Sequence, residues 1–158
     1  MNRYTPLLLL LAACCSTAVA AQNVTTCRAP AGYSYYHYQG LTQKASSGFT
    51  EDTLSNGVFT IKKVDSENFD ILYLDARKTI TSSVADGAVV RLLRRGKSDA
   101  TFITTYNHSA IDLYTIWLDK DSKPKLDLIV SRGGDLSLLH KSGVLVGDCD
   151  PIDFSLLD

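Results

Sequence analysis

The stretch from Ala110 to Gly133 constrains the fold more than any other part of the chain. Two runs rich in β-branched and aromatic residues, Ala-Ile-Asp-Leu-Tyr-Thr-Ile-Trp-Leu and Lys-Leu-Asp-Leu-Ile-Val-Ser-Arg-Gly, flank the polar loop Asp119-Lys120-Asp121-Ser122-Lys123-Pro124. This pattern predicts a β-hairpin. Pairing Leu118 with Lys125 brings Trp117 opposite Leu126, Thr115 opposite Leu128 and Leu113 opposite Val130. Five large apolar residues then share one face, as the period-2 alternation of a half-buried strand requires.

Similar runs recur along the chain. Tyr33 to Tyr38 reads as a strand entered from Pro30 and Gly32 and left at Gly40, with Tyr33, Tyr35 and His37 on one face and Tyr36 and Tyr38 on the other. A polar segment with a short strand near Phe49 follows, then Ser55-Asn56-Gly57 turns into Val58 to Val64. Phe69 to Asp75 is almost continuously apolar, which predicts a central strand covered on both sides. Further strands are expected at Lys78 to Val84, Ala88 to Arg94, Thr101 to Tyr106, Leu136 to His140 and Val144 to Cys149. About eight or nine short strands at spacings of roughly 8–12 residues predict a single all-β domain, an antiparallel barrel or a sandwich. No window carries a helical apolar period over three turns.

The first twenty residues read as an address. Arg3 precedes an apolar run from Leu7 to Ala13, and Ala18-Val19-Ala20 fits a small-residue cleavage site. That run is shorter than the roughly 20 residues needed to span a bilayer, so the mature chain is not expected to be integral to a membrane. A second reading competes: Leu11-Ala12-Ala13-Cys14 resembles a bacterial lipobox, which would anchor the protein through a lipid on Cys14. Residues 21–158 form the expected domain, 138 residues with a net charge of −2 and no basic stripe of the kind nucleic-acid proteins show.

Cys27 and Cys149 are the only cysteines beyond the leader. In an oxidising compartment they are expected to pair, joining the ends of the domain. The loop they would enclose is long enough for roughly 5 kcal/mol of stabilisation in the chain-entropy model. The tail from Asp150 to Asp158 alternates acids with Ile152, Phe154, Leu156 and Leu157, and is expected to pack across one end near the disulfide. Cys27, Gly32-Tyr33, Gly40-Leu41, Ser47-Gly48, Phe69-Asp70-Ile71-Leu72 and Cys149 together give the chain a framework that resembles small uncharacterised exported bacterial β-rich proteins. The resemblance implies export and a β-rich fold, and no activity.

Candidate chemistry is sparse. Ser122-Lys123-Pro124-Lys125 and Lys141-Ser142-Gly143 match the letters of two motifs of penicillin-binding enzymes, but only about 16 residues separate them and the serine sits in a hairpin loop. His108, Ser109 and Asp112 contain the residue types of a hydrolytic triad, yet neighbours on a strand point to opposite faces. Asp119-Lys120-Asp121 opens like a calcium loop but puts Lys123 and Val130 where oxygen ligands belong. Asp148, Asp150 and Asp153 read as a solvated chain end, and Arg91, Arg94, Arg95 and Lys97 as charges guarding a sheet edge. Asn23-Val24-Thr25 and Asn107-His108-Ser109 are glycosylation sequons, silent in a bacterial cell. No metal, cofactor or catalytic residue is expected. The excess over structural need lies in Tyr33, Tyr35, Tyr36 and Tyr38, which suit a surface for a protein or envelope partner. The expected function is a non-enzymatic binding, inhibitor or accessory module at the cell envelope, periplasmic or secreted. A lipocalin-like small-ligand carrier and a small hydrolase are the alternatives.

Overall fold

The computed structural model describes residues 21–74, 78–135 and 137–158. The expected leader, Cys14, Asp75 and Leu136 lie outside the described residues. Ten strands account for nearly all regular structure: β1 (Gln22–Gly40), β2 (Gly48–Thr53), β3 (Val58–Lys63), β4 (Phe69–Leu74), β5 (Ile80–Ser82), β6 (Ala88–Arg95), β7 (Asp99–Tyr106), β8 (Ala110–Leu118), β9 (Pro124–Arg132) and β10 (Leu139–Cys149). Two short 3-10 turns, Lys44–Ser46 and Phe154–Leu157, complete the described chain. Among the described residues no helix is long and apolar enough to cross a membrane.

All strands join one antiparallel sheet in the order β5-β4-β3-β1-β10-β9-β8-β7-β6, with β2 continuing the line of β3 along the same edge of β1. The sheet curls until its halves face each other. Phe69 of β4 meets Phe102 of β7 with ring centroids 5.2 Å apart, and Phe59 of β3 meets Tyr114 of β8 at 5.6 Å. β5 and β6 do not pair, so the barrel is open along that seam. The chain crosses the seam in a turn fixed by Ser83 N–H donating to Ile71 O and Ala88 N–H donating to Ser83 O.

The core lies on the concave side and fills one end of the barrel. Val24, Ile61, Ile71, Phe102, Ile116, Leu126, Leu128 and Leu145 are fully or almost fully buried there. Cys27 and Cys149, directly opposite each other on β1 and β10, form the expected disulfide at this end. The tail closes it: Asp150 N–H donates to Thr26 O, Asp153 N–H to Val24 O, and Leu157 is buried in the core.

The separate strands expected at Leu136 to His140 and Val144 to Cys149 are one strand, β10, which runs through Ser142 and Gly143, and three further expectations need correction. The β8–β9 pairing is shifted by one residue, so that Leu118 faces Pro124, Ile116 faces Leu126, Tyr114 faces Leu128 and Asp112 faces Val130. A one-residue slip exchanges the faces of a strand; Ile116, Tyr114 and Asp112 point inward, while Leu113, Thr115 and Trp117 point outward. The loop sets this register. Asp119 accepts hydrogen bonds from the N–H groups of Asp121 and Lys123 at 2.9 and 2.8 Å, with Ser122 at φ 61°, which leaves Pro124 as the first partner of Leu118.

The second correction concerns length. β1 runs through Pro30 as a 19-residue strand, because the chain bulges between Arg28 and Ala31. A bulge tolerates a proline that a continuous ladder would reject. Ala29, at φ 45°, turns its N–H to Gly57 O. Third, β4 is not central but next to the end of the sheet. Its double-sided burial comes from the segment after it: Asp70 accepts from Ser82 Oγ at 2.6 Å and Val84 N–H at 3.2 Å. Of the basic cluster, Arg91, Arg94 and Arg95 lie on an edge strand, β6, where Arg94 pairs with Asp99 and Arg95 with Asp158, while Lys97 sits in the turn that follows.

Candidate functional site

Two regions stand out, one on each face of the curled sheet. On the convex face, alternation along β1 turns Tyr33, Tyr35 and His37 to solvent. Across the sheet, Tyr33 faces Val144, Val144 faces Ile129, Ile129 faces Leu113, and Leu113 faces Ile103. Directly paired residues share a face, so these side chains make one apolar row. The adjacent row starts at Phe49, which pairs with Tyr35 and touches its ring edge-on at 5.1 Å; Tyr35 meets His37 in the same way. Tyr33 is 60% exposed and Phe49 81%. Val144, Val146, Ile129 and Ile111 are likewise exposed. Tyr33 reaches Glu51 only through a long 3.4 Å hydrogen bond.

On the concave face, the end of the barrel away from the disulfide carries charges. Alternation on β9 places Arg132 in phase with Leu126, Leu128 and Val130, and on β8 it places Asp112 in phase with Tyr114 and Ile116. The guanidinium of Arg132 grips both oxygens of Asp112, whose side chain is 3% exposed. Burial pushes the Asp112 carboxyl up from its ordinary value, against the pull of Arg132. For Arg132 burial opposes the charge, but the hydrogen bonds it donates to Asp112 and the negative charge of that carboxylate together outweigh it and hold the guanidinium protonated. Beside this pair, Lys141 of β10 donates to Asp52 at 2.6 Å and lies over the ring of Tyr36. Asp52 also accepts from Ser34 Oγ at 2.6 Å and Tyr36 Oη at 3.3 Å. Burial would raise the Asp52 carboxyl, but its donors, Lys141 foremost, together hold it below the usual carboxylate range.

These charges form the floor of an open mouth. Two adjoining hollows, of about 560 and 680 Å³, share Phe59, Tyr73 and Arg132 as walls. The hydroxyl of Tyr73 donates to Asp86 at 2.7 Å; burial first, and then this bond, push its pKa well up. Burial does the same to Tyr114. Both hydroxyls therefore stay protonated at any physiological pH. No family model, curated protein or solved structure matches the chain.

The four tyrosines named from the sequence part company here. Tyr33 and Tyr35 belong to the convex face, Tyr36 to the charged interior, and Tyr38 to the rim, exposed beyond a register shift between Tyr36 and Gly40. The tail does not cover any of them, since it packs against the opposite end of β1. The triad types do not assemble: His108 sits exposed in a turn at φ 64°, and both oxygens of Asp112 are taken by Arg132. The acids near the C-terminus are satisfied singly, Asp148 by Lys125, Asp150 by Arg28 and Asp153 by Ser155. Among the described residues no group of three His, Cys, Asp or Glu side chains could hold a metal ion.

Sequence reasoning missed the charged floor altogether. Its signal was present: Arg132 continues the inward alternation of β9, and an inward arginine demands an acid across the strand pair. The slipped register hid that acid by turning Asp112 outward.

Proposed function

We propose that the chain is an exported, non-enzymatic binding module whose protein partner docks on the convex face around Tyr33, Tyr35 and Phe49. The carrying observation is the unbroken apolar row from Tyr33 to Ile103 with the aromatic pair beside it. Contiguous apolar surface of this kind on a folded domain marks an interaction site. Tyrosine suits it because the ring buries a large area while the hydroxyl stays hydrogen-bonded. The disulfide fits an oxidising, extracytoplasmic compartment; export to the periplasm, or anchorage through Cys14, is part of this reading.

The test compares the wild-type protein with Tyr33→Ser combined with Phe49→Ser, as bait in envelope extracts of the native host. A defined protein should be retained by the wild type and lost from the variant, with both melting within a few degrees of each other. Equal retention by the two would refute the convex face as the docking surface. The small-ligand carrier draws on a separate observation, the open mouth, and the two readings use opposite faces of the sheet.

A further inference from the structure

We propose that the open mouth binds a carboxylate-headed molecule with an apolar body, its head on the free edge of Arg132 and its body between Phe59, Tyr73 and Leu139. The proposal deepens the carrier reading and rests on it. Size permits it, since binding pockets for small molecules run from about 300 to 1,000 Å³ and the two hollows that meet at Arg132 are about 560 and 680 Å³.

A census of donors and acceptors selects the head group. Arg132 has five N–H groups in a planar fork, and its bonds to Asp112 take one from each terminal nitrogen. The Nε edge keeps the side-on geometry that a second carboxylate can accept in bidentate form. Lys141 also lines this hollow, and Lys78 lines its neighbour. The acids are already supplied: Asp112 by Arg132, Asp52 by Lys141, Ser34 and Tyr36, and Asp86 by Tyr73. Among the described residues the unused capacity is therefore on the donor side, and the complementary ligand brings acceptors and negative charge. A cationic head would face Arg132 and Lys141.

The walls select the body. Phe59, Tyr73, Leu138 and Leu139 line the way from the charged floor to solvent, and Leu138 at the rim is 70% exposed. Covering such side chains favours an apolar tail. The site is also preorganised. Asp112 locks the plane of the guanidinium before any ligand arrives, so little rotamer freedom is lost on binding.

The experiment titrates the disulfide-bonded protein calorimetrically with decanoate, decanol and decyltrimethylammonium, each below its aggregation concentration. Decanoate should bind with one-to-one stoichiometry and at least tenfold more tightly than either of the others. Ala110 lines the mouth from β8, directly across the strand pair from Arg132 and two residues before Asp112 on the same face, so Ala110→Phe puts a ring into the space for the head group and should cut decanoate affinity at least tenfold while the protein stays folded. Replacing the ion pair with apolar residues, Arg132→Met with Asp112→Leu, keeps volume in the interior and avoids an unpaired buried charge; decanoate and decanol should then bind alike. No saturable decanoate binding, equal affinity for decanol in the unaltered protein, or unchanged affinity in Ala110→Phe would each overturn the proposal. The ligand comparison and Ala110→Phe decide it even where the double variant fails to fold. Neither touches the convex face, so the partner reading stands or falls separately.

Discussion

At the scale of single residues, the interior charges are the most demanding feature of the chain. Breaking a buried pair by removing one partner costs about 3–5 kcal/mol, because the other charge is left uncompensated. Asp52→Asn should therefore destabilise the protein by about 3 kcal/mol at neutral pH, by leaving Lys141 without its carboxylate. The effect should fade in acid. The folded Asp52 carboxyl titrates below its ordinary value of 3.8, so the unfolded chain takes up its proton first as the pH falls. The stabilisation is complete above 3.8 and is lost as the pH drops through the folded value. Asp112 runs the other way: burial raises it, so its contribution declines as the pH rises from 3.8 through the folded value. Urea unfolding of wild type and Asp52→Asn at neutral pH and near pH 2 should show the two converging in acid. A constant difference at both would mean that Asp52 is not held ionised by Lys141, Ser34 and Tyr36.

At the scale of elements, the β8–β9 hairpin shows how far a sequence can be read and where reading stops. Its existence, the bounds of β8, those of β9 to within one residue at each end, and the inward face of β9 follow from alternation alone. The phase of β8 does not. Leu113, Thr115 and Trp117 look a more apolar set than Asp112, Tyr114 and Ile116, yet the second set faces inward, where Asp112 meets Arg132. A loop hydrogen-bonded through Asp119 fixes the offset, and its geometry is not written in hydrophobicity. The same limit explains β1, where Pro30 looks like the start of a strand but sits in a bulge. By contrast, the disulfide and the packing of the tail were legible, because few arrangements satisfy two cysteines and an apolar tail at the ends of one domain. The convex tyrosines were legible as an excess, and their division between faces only as far as Tyr36. The register has a direct consequence. Ile116→Ala should cost about 2–5 kcal/mol, as for other fully buried aliphatic side chains, whereas Leu113→Ala, on the convex face, should cost about 1 kcal/mol or less. Thermal unfolding of the two variants should rank them in that order; the reverse would restore the slipped pairing.

At the scale of the whole molecule, the barrel is asymmetric along its axis, and that asymmetry separates what holds it together from what it offers to a ligand. Core, disulfide and tail occupy one end; the charged mouth occupies the other. Among the described residues the seam between β5 and β6 carries no strand pairing, so closure depends on packing across the interior, while the covalent tie joins β1 to β10, which already pair in the middle of the sheet. The tie joins residues 122 apart in sequence, which the chain-entropy model values at roughly 5 kcal/mol through its effect on the unfolded chain. That is a large share of the roughly 5–15 kcal/mol that holds a typical domain together. Cys27→Ser with Cys149→Ser should therefore lower the melting temperature by more than about 10 °C, given about 2–8 °C per kcal/mol for domains of comparable size. The loss should act chiefly on stability, because Cys27 and Cys149 lie at the closed end and meet the mouth through Phe59, the strand partner of Cys27. In the cold, where the variant remains folded, its decanoate affinity should match that of the bridged protein. A variant that melts like the wild type would show the bridge to be dispensable. One that is folded yet fails to bind would show that the tie shapes the mouth through Phe59, and would remove the separation of the two ends.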